Sequence, residues 1–227
     1  DPARAGAPSV KGNRLGNETS LGLGATWDLD GQWQLLAGVH EGFAPPGADS
    51  VEGTEAEESL NYEGGVRYTD ERYSADAIFF YSDYRNTIKN CSVANPCTGG
   101  LTVGTESLGE SEIQGVEIGL NTEFGAPAGT TWPLRLSYTW TDAEVTEDSE
   151  TGNVLEGDTL ADIPEQVLAL SLGLVHPSGW DSYLNASYYD QTCSTYTCDR
   201  AGVDDRFLLT DDLFQVDWTA GYRLFEG

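Results

Sequence analysis

The chain of 227 residues contains no methionine, two histidines and 11 basic residues against 38 acidic ones, for a formal net charge of −27. A translated chain begins with methionine, so we expect a mature piece or a fragment. The scarcity of cations excludes the phosphate contacts that nucleic-acid binding needs. Catalytic motifs such as a nucleophile elbow, a P-loop or a zinc-protease helix are absent. We therefore expect neither an enzyme nor a resident metal or cofactor.

Long apolar runs are also missing, since no stretch approaches the roughly 18 residues of a transmembrane helix. This excludes a helical membrane protein but leaves open a β-barrel, whose strands are individually inconspicuous. What the sequence does contain is a repeated period of two. Apolar and polar residues alternate in about nine segments, which begin near residues 19, 33, 62, 73, 115, 134, 167, 180 and 213.

The connections between these segments alternate in length. Short turns are predicted at 28–33, 69–73, 125–132 and 176–180, and long loops at about 44–61, 88–112, 145–166 and 190–212. Consecutive antiparallel strands therefore place all short turns at one end and all long loops at the other. This sorting is typical of an outer-membrane barrel with short periplasmic turns and long extracellular loops.

The chemistry of the two strand faces agrees with a barrel. Aromatic residues near the segment ends are suited to the two membrane-interface girdles, namely Trp27, Trp33, Tyr68, Tyr73, Trp132, Trp140, Trp180 and Tyr188. The opposite face carries charges that a dry core would not tolerate unpaired, namely Glu63, Arg67, Asp76, Glu117, Arg135, Asp181, Asp217 and Arg223. We expect this face to line a water-filled or plugged lumen.

About nine strands cannot close a bacterial barrel, which has an even number, and an open edge cannot face lipid. The sequence therefore predicts an all-β fold in which residues 1–227 are a fragment of one antiparallel transmembrane barrel domain. Two alternatives stay open: a secreted, soluble, disulfide-stabilised β-sandwich that binds a ligand, and a passive outer-membrane porin.

Four cysteines occur as two close pairs, Cys91 with Cys97 and Cys193 with Cys198. Neither spacing is the CxxC of a zinc site and no histidine is nearby. Two short-range disulfides in an oxidising compartment are the favoured interpretation over free thiols. Such disulfides would hold the tips of two long loops.

Five segments resemble the C-terminal part of the barrel of TonB-dependent outer-membrane receptors, especially the ferric dicitrate type. They are GVHEGFAPPG (38–47), EESLNYEGGVRY (57–68), IFFYSDYRNTI (78–88), ESEIQGVEIGL (110–120) and GDTLADIPEQVLALSLGL (157–174). The resemblance implies a barrel of about 22 strands, a plug domain and a TonB box, of which the plug and the box are absent here. It also implies a bacterial outer-membrane location and energised uptake of a ferric chelate, such as ferric citrate or a siderophore.

The implied partners are the ferric chelate as transported ligand, TonB through the missing N-terminal part, and the lipid and lipopolysaccharide of the outer membrane. Two long loops are intensely acidic, and the run from Asp142 to Glu165 has no lysine or arginine. These carboxylates either capture cations directly or, as we favour, form a solvated surface that divalent ions bridge to lipopolysaccharide.

An anionic chelate requires guanidinium or ammonium donors. The predicted ligand-binding residues are the few cations in or near the long loops, together with a histidine of the lumen face: Arg85, Lys89, Arg200, Arg206 and His40. For the arginines, pairing with a neighbouring aspartate is an equally good interpretation, and for His40 a structural hydrogen bond is the safer one.

Overall fold

The computed structural model describes residues 19–47, 50–51, 54–93, 95–149, 154–198, 200, 202, 204 and 208–224. Nine strands form one antiparallel sheet in which each strand pairs with the next along the chain. The strands are β1 (Gly22–Asp28), β2 (Trp33–Ala44), β3 (Glu57–Thr69), β4 (Tyr73–Asn90), β5 (Thr105–Gly125), β6 (Thr131–Val145), β7 (Gln166–Val175), β8 (Trp180–Tyr189) and β9 (Leu213–Tyr222). This confirms the predicted all-β fold, an open part of a barrel wall.

The register places most of the apolar residues of the nine strands on one face. One rung crosses the whole sheet through directly paired positions, Trp27, Leu35, Val66, Ala77, Ile118, Tyr138, Leu168, Tyr188 and Phe214. Because side chains alternate along a strand, a slip of one residue would turn this row to the other side. Many of these side chains are exposed in the chain, for example Trp218, at 70%. We call this side of the sheet the apolar face.

The other side, the polar face, carries a rung of the opposite character. It consists of Asp28, Gln34, Arg67, Asp76, Gly119, Ser137, Ala169, Ser187 and Gln215. Among the described residues, this single sheet has no second sheet that covers its apolar face, so the two-layer sandwich that the sequence left open is wrong. The aromatic residues proposed for the girdles all lie on the apolar face by this register.

Short turns connect the strands at one end of the sheet. In two of these turns, an aspartate near the start of the turn accepts hydrogen bonds from two backbone N–H groups that follow it. Asp30 accepts from Gln32 and Trp33, both at 2.8 Å. Asp70 accepts from Arg72 and Tyr73, both at 2.7 Å. These bonds to the charged form lower the pKa of both carboxyl groups.

Helical structure in the described ranges is limited to two single 3₁₀ turns, Thr98–Gly100 and Pro127–Gly129. None of the helices in these ranges has the length and apolar character required for a membrane span.

The longest strands exceed their predicted length. β4 has 18 residues and β5 has 21, so the loop expected at 88–112 is reduced to 91–104. Two register shifts interrupt their pairing, between Tyr84 and Thr87 and between Thr87 and Ile88, where Asn86 adopts φ 53°. The alternation pattern stops at these bulges although backbone pairing continues, which is why the sequence placed the strand ends too early.

Candidate functional site

The four long connections meet at the end of the sheet opposite the short turns. The first, 45–56, rests on the start of β5, where Ser50 and Thr105 join their hydroxyl groups at 2.7 Å and the Val51 N–H donates to the Thr105 carbonyl at 2.8 Å. The Asn86 amide donates to the Ala56 carbonyl at 3.3 Å. The first long loop is therefore fixed to the β4–β5 hairpin.

The other three long loops are bonded to one another. The Asn95 amide donates to the Ser194 carbonyl at 3.2 Å, which joins loop 91–104 to loop 190–212. The Asp162 N–H donates to the Cys193 carbonyl at 2.8 Å, which joins loop 146–165 to the same partner. Loop 190–212 thus connects the other two.

A small apolar cluster lies beneath these loops. Its buried members come from β5, β6 and loop 146–165, and partly buried residues pack against them; the set is Leu108, Ala143, Val145, Val154 and Leu160, with Ile113, Ile163 and Tyr196 around it. Ala143 pairs with Ile113 and Val145 with Ser111, both on the polar face. Loop 146–165 therefore folds over the polar face. We call this cluster and the three bonded loops the loop cap.

Tyr196 anchors loop 190–212 in the cap. Its ring packs against the apolar cluster, and burial, together with the charge of Asp162, raises the pKa of its hydroxyl to about 12. The phenol is therefore neutral at physiological pH and suited to an apolar contact.

Both expected disulfides are present. Cys91 is bonded to Cys97 and Cys193 to Cys198, with Cα atoms 5.2 and 5.8 Å apart. All four cysteines are buried. Chain entropy gives a closed loop of this size on the order of 2 kcal/mol of stabilisation. The second disulfide encloses Tyr196 and the carbonyl groups that bond Asn95 and Asp162, so it stabilises the contacts that hold the cap together.

Two of the predicted cations are engaged by carboxylates. Arg200 donates through Nε to Asp158 Oδ1 at 2.7 Å and through Nη2 to Asp158 Oδ2, which joins loops 190–212 and 146–165. The hydrogen bond to Asp158 raises the pKa of Arg200. Lys89, only 2% exposed, lies 3.6 Å from Glu106, whose carboxylate also accepts the Thr98 N–H at 3.1 Å.

The remaining predicted residues are separated. His40 is exposed on the polar face of β2, between Gly22 and Asn61 in the register. Arg85 pairs across strands with Glu58, which pairs with Phe43, and therefore lies on the apolar face, two rungs beyond the pair of Tyr62 and Tyr81. Arg206 lies outside the described residues. The structure thus does not bring the four described residues of this set together.

Sequence reasoning missed Asp158, Tyr196 and Leu108, which hold the cap. Asp158 is one of many acidic residues in its loop, and nothing in the sequence pattern distinguishes it as an ion-pair partner of Arg200. Across the described ranges, no group of three or more His, Cys, Asp or Glu side chains is placed to hold a metal ion. The described part of the cap offers a folded, acidic surface above the polar face.

Residues 2–225 match the family described as TonB dependent receptor-like, beta-barrel. No curated protein matches the chain. The ferric yersiniabactin uptake receptor FyuA from Yersinia pestis is similar in structure, with a TM-score of 0.67 and 21% identity over 88% of this chain and 29% of that one.

Two further solved structures are similar. The siderophore receptor PiuA from Acinetobacter baumannii has a TM-score of 0.66 and 17% identity over 90% of this chain and 29% of its own. The copper transporter OprC has a TM-score of 0.63 and 14% identity over 90% and 31%. The chain thus spans about a third of the length of these proteins. It belongs to the TonB-dependent receptor β-barrel family, whose members are transporters of the Gram-negative outer membrane and not enzymes.

Proposed function

We propose that the protein containing this chain takes up a ferric chelate across the outer membrane, and that the chain supplies part of the barrel wall and of its extracellular mouth. The observation that supports this most is the loop cap, because a passive pore needs no bonded loops folded over its lumen face. Ligand-binding loops that are held in place by cross-links lose less entropy when a ligand binds.

The chelate we propose first is ferric citrate, because the five sequence segments resemble those of receptors of the ferric dicitrate type. Similar structures include one described as a ferric yersiniabactin receptor and one described as a copper transporter, so a siderophore is the second candidate. TonB is the proposed source of energy, acting on a plug domain outside this chain.

Among the described residues predicted to bind the ligand, His40 is the best placed for a lumen-side contact. It is exposed on the polar face of β2 and lies five residues before the start of the first long loop. Lys89 and Arg200 are proposed to hold the loops, since each is paired with a carboxylate. Arg206 stays a proposed ligand donor. The other cations that an anionic chelate needs would then come from the rest of the barrel.

The test is uptake of radioactive ferric citrate by a Gram-negative strain that lacks its own ferric citrate receptor and expresses the full-length protein. We expect uptake that requires TonB and that falls severalfold in His40→Ala. His176→Ala is the matched control, because His176 lies in a short turn at the opposite end of the sheet and bonds Ser178. Uptake of a siderophore but not of citrate would reject citrate alone, and uptake without TonB would favour the porin alternative.

A further inference from the structure

A strip of large apolar side chains crosses the polar face just below the loop cap. It runs from Ile113, which packs against the apolar cluster of the cap, to Phe80 one rung below and to Ile78 and Leu36 one rung further. The strip therefore extends about 13 Å along the strands. We call these four residues the lumen strip. Large apolar side chains in a row on an otherwise polar surface indicate a binding surface.

Two glycines make room for the central side chains of the lumen strip. A Cβ atom added to Gly115 would stand 2.5 Å from Phe80 Cζ, and one added to Gly65 would stand 2.6 Å from Ile78 Cδ1. Phe80 and Ile78 therefore lean across the neighbouring strands instead of standing upright in the lumen. Both side chains are half-buried, so part of each apolar surface faces the lumen.

Two carboxylates border the lumen strip. Glu63 and Glu117 are directly opposite its two β4 residues in the register. Both side chains are exposed, and neither belongs to the ion pairs of the described residues. By register, the nearest arginine on this face is Arg67, which is itself opposite Asp76. The surroundings of the strip are therefore negatively charged.

The loop cap adds no free cation of those predicted in its described part. Lys89 and Arg200 are each paired with a carboxylate, and the chain as a whole has a net charge of −27. Repulsion between like charges disfavours an anionic ligand at such a surface. The lumen strip and its carboxylates are thus suited to a ligand that has apolar surface and no net negative charge.

We propose that the lumen strip contacts a ferric hydroxamate, an iron chelate with aliphatic linkers and a net charge that is zero or positive. Three hydroxamate groups carry one negative charge each and balance the charge of the ferric ion, whereas catecholate and citrate complexes are anionic. The linkers pack against Phe80 and Ile78, and Glu63 and Glu117 accept hydrogen bonds from amide N–H or ammonium groups. This inference rests on the proposed uptake of a ferric chelate, and it selects a siderophore of this class over citrate.

The experiment measures the binding of ferrioxamine B and of ferric citrate to the full-length protein in detergent by isothermal titration calorimetry. Ferrioxamine B is a trihydroxamate with aliphatic linkers and one ammonium group. We expect Phe80→Ala to weaken its binding about tenfold, because the contact with buried apolar surface is lost. Phe79→Ala is the matched control and should bind as the wild type does, since Phe79 is the neighbouring ring on the apolar face.

A second set of variants tests the carboxylates without a change in packing. Glu63→Gln and Glu117→Gln should each weaken binding of ferrioxamine B about threefold, as expected for an exposed charge pair. Both should leave N-acetylated ferrioxamine B, which lacks the ammonium group, nearly unaffected. Glu123→Gln is the control, because Glu123 is exposed on the same face at the periplasmic end of β5. Unchanged affinity of both test variants for ferrioxamine B would count against the proposal.

The proposal would be overturned if Phe80→Ala bound ferrioxamine B as tightly as the wild type, or if the wild type bound ferric citrate more tightly. An equal loss of both complexes in Phe80→Ala, with a lower melting temperature than Phe79→Ala, would also overturn it, because the ring would then act only in the packing of the wall. TonB-dependent uptake of citrate without any binding of ferrioxamine B would reject this inference and keep the proposed function. Binding of ferrioxamine B without TonB-dependent uptake would reject the proposed function alone.

Discussion

At the scale of single residues, the pair of Arg200 and Asp158 is the contact that joins two extracellular loops most directly. The Asp158 carboxylate is 5% exposed and also accepts the Leu155 N–H at 2.7 Å. A buried carboxylate without its cation is costly, since removal of one partner leaves the desolvation penalty of the other. The pair therefore keeps loop 146–165 folded over the lumen face.

We predict that Arg200→Ala destabilises the loop cap by about 1–3 kcal/mol without unfolding the barrel. Hydrogen–deuterium exchange of the full-length protein should show faster exchange in residues 154–163 and unchanged exchange in β7 and β8. Arg85→Ala is the control, because it removes an arginine that has no ion pair in the described residues. Unchanged exchange in Arg200→Ala would show that the apolar cluster alone holds the loop.

At the scale of strands, the β4–β5 hairpin shows how the polar face is packed. Phe80 of β4 lies over Gly115 of β5, and a Cβ atom added to Gly115 would stand 2.2 Å from the Trp140 carbonyl oxygen and 2.5 Å from Phe80 Cζ. The Trp140 carbonyl group belongs to the backbone of a paired strand, so it cannot move away from this contact as a flexible side chain would. Gly115 therefore makes room for a large side chain on a face that has few of them.

We predict that Gly115→Ala lowers barrel stability by about 1–3 kcal/mol through overpacking. Gly24→Ala is the matched control, since its Cβ would meet only the Ala37 carbonyl oxygen, at 3.8 Å. The measurement is the temperature at which the folded form of the full-length protein is lost in cold-loaded SDS gels. Equal melting of the two variants would contradict the packing argument.

At the scale of the whole molecule, the sheet separates two solvents. Its apolar face has no second protein layer among the described residues, as expected for a surface that lipid covers, while charged and small polar residues line the other face. The hydrophobic cluster that does exist lies under the extracellular loops. The wall therefore depends on the membrane for the burial of its apolar side chains, and the cap has a core of its own.

We predict that Leu170→Arg, on the apolar face, destabilises the barrel by about 2–4 kcal/mol, the cost of a cation near the middle of a bilayer. Leu170 pairs with Leu136 and Ala186 in the central part of the sheet. Ala169→Arg is the control, because Ala169 lies next to it on the polar face between Ser137 and Ser187. The amount of folded protein in outer membranes distinguishes them, and an equal loss in both would argue against the assignment of the faces.

The alternation of residue types carried enough information for the fold but not for the site. A side-chain period of two is a local property, so nine strands, the sorted turns and the apolar face could be predicted from segments such as 73–81 and 134–140. The bulge at Asn86 could not, because it breaks that period while pairing continues. The contacts of the loops could not be predicted either, because loop residues do not alternate regularly between apolar and polar types.

Sequence alone therefore determined that the strands of this chain have an apolar and a polar face, and that its cysteines lie in pairs within two long loops. Only the tertiary structure decided that Arg200 meets Asp158, that Tyr196 enters the cap and that Arg85 lies on the apolar face. The physical reason is distance along the chain. Strand patterning depends on adjacent residues, whereas the cap depends on contacts such as Asn95 with Ser194, 99 residues apart, that form only once the sheet has set the positions of its loops.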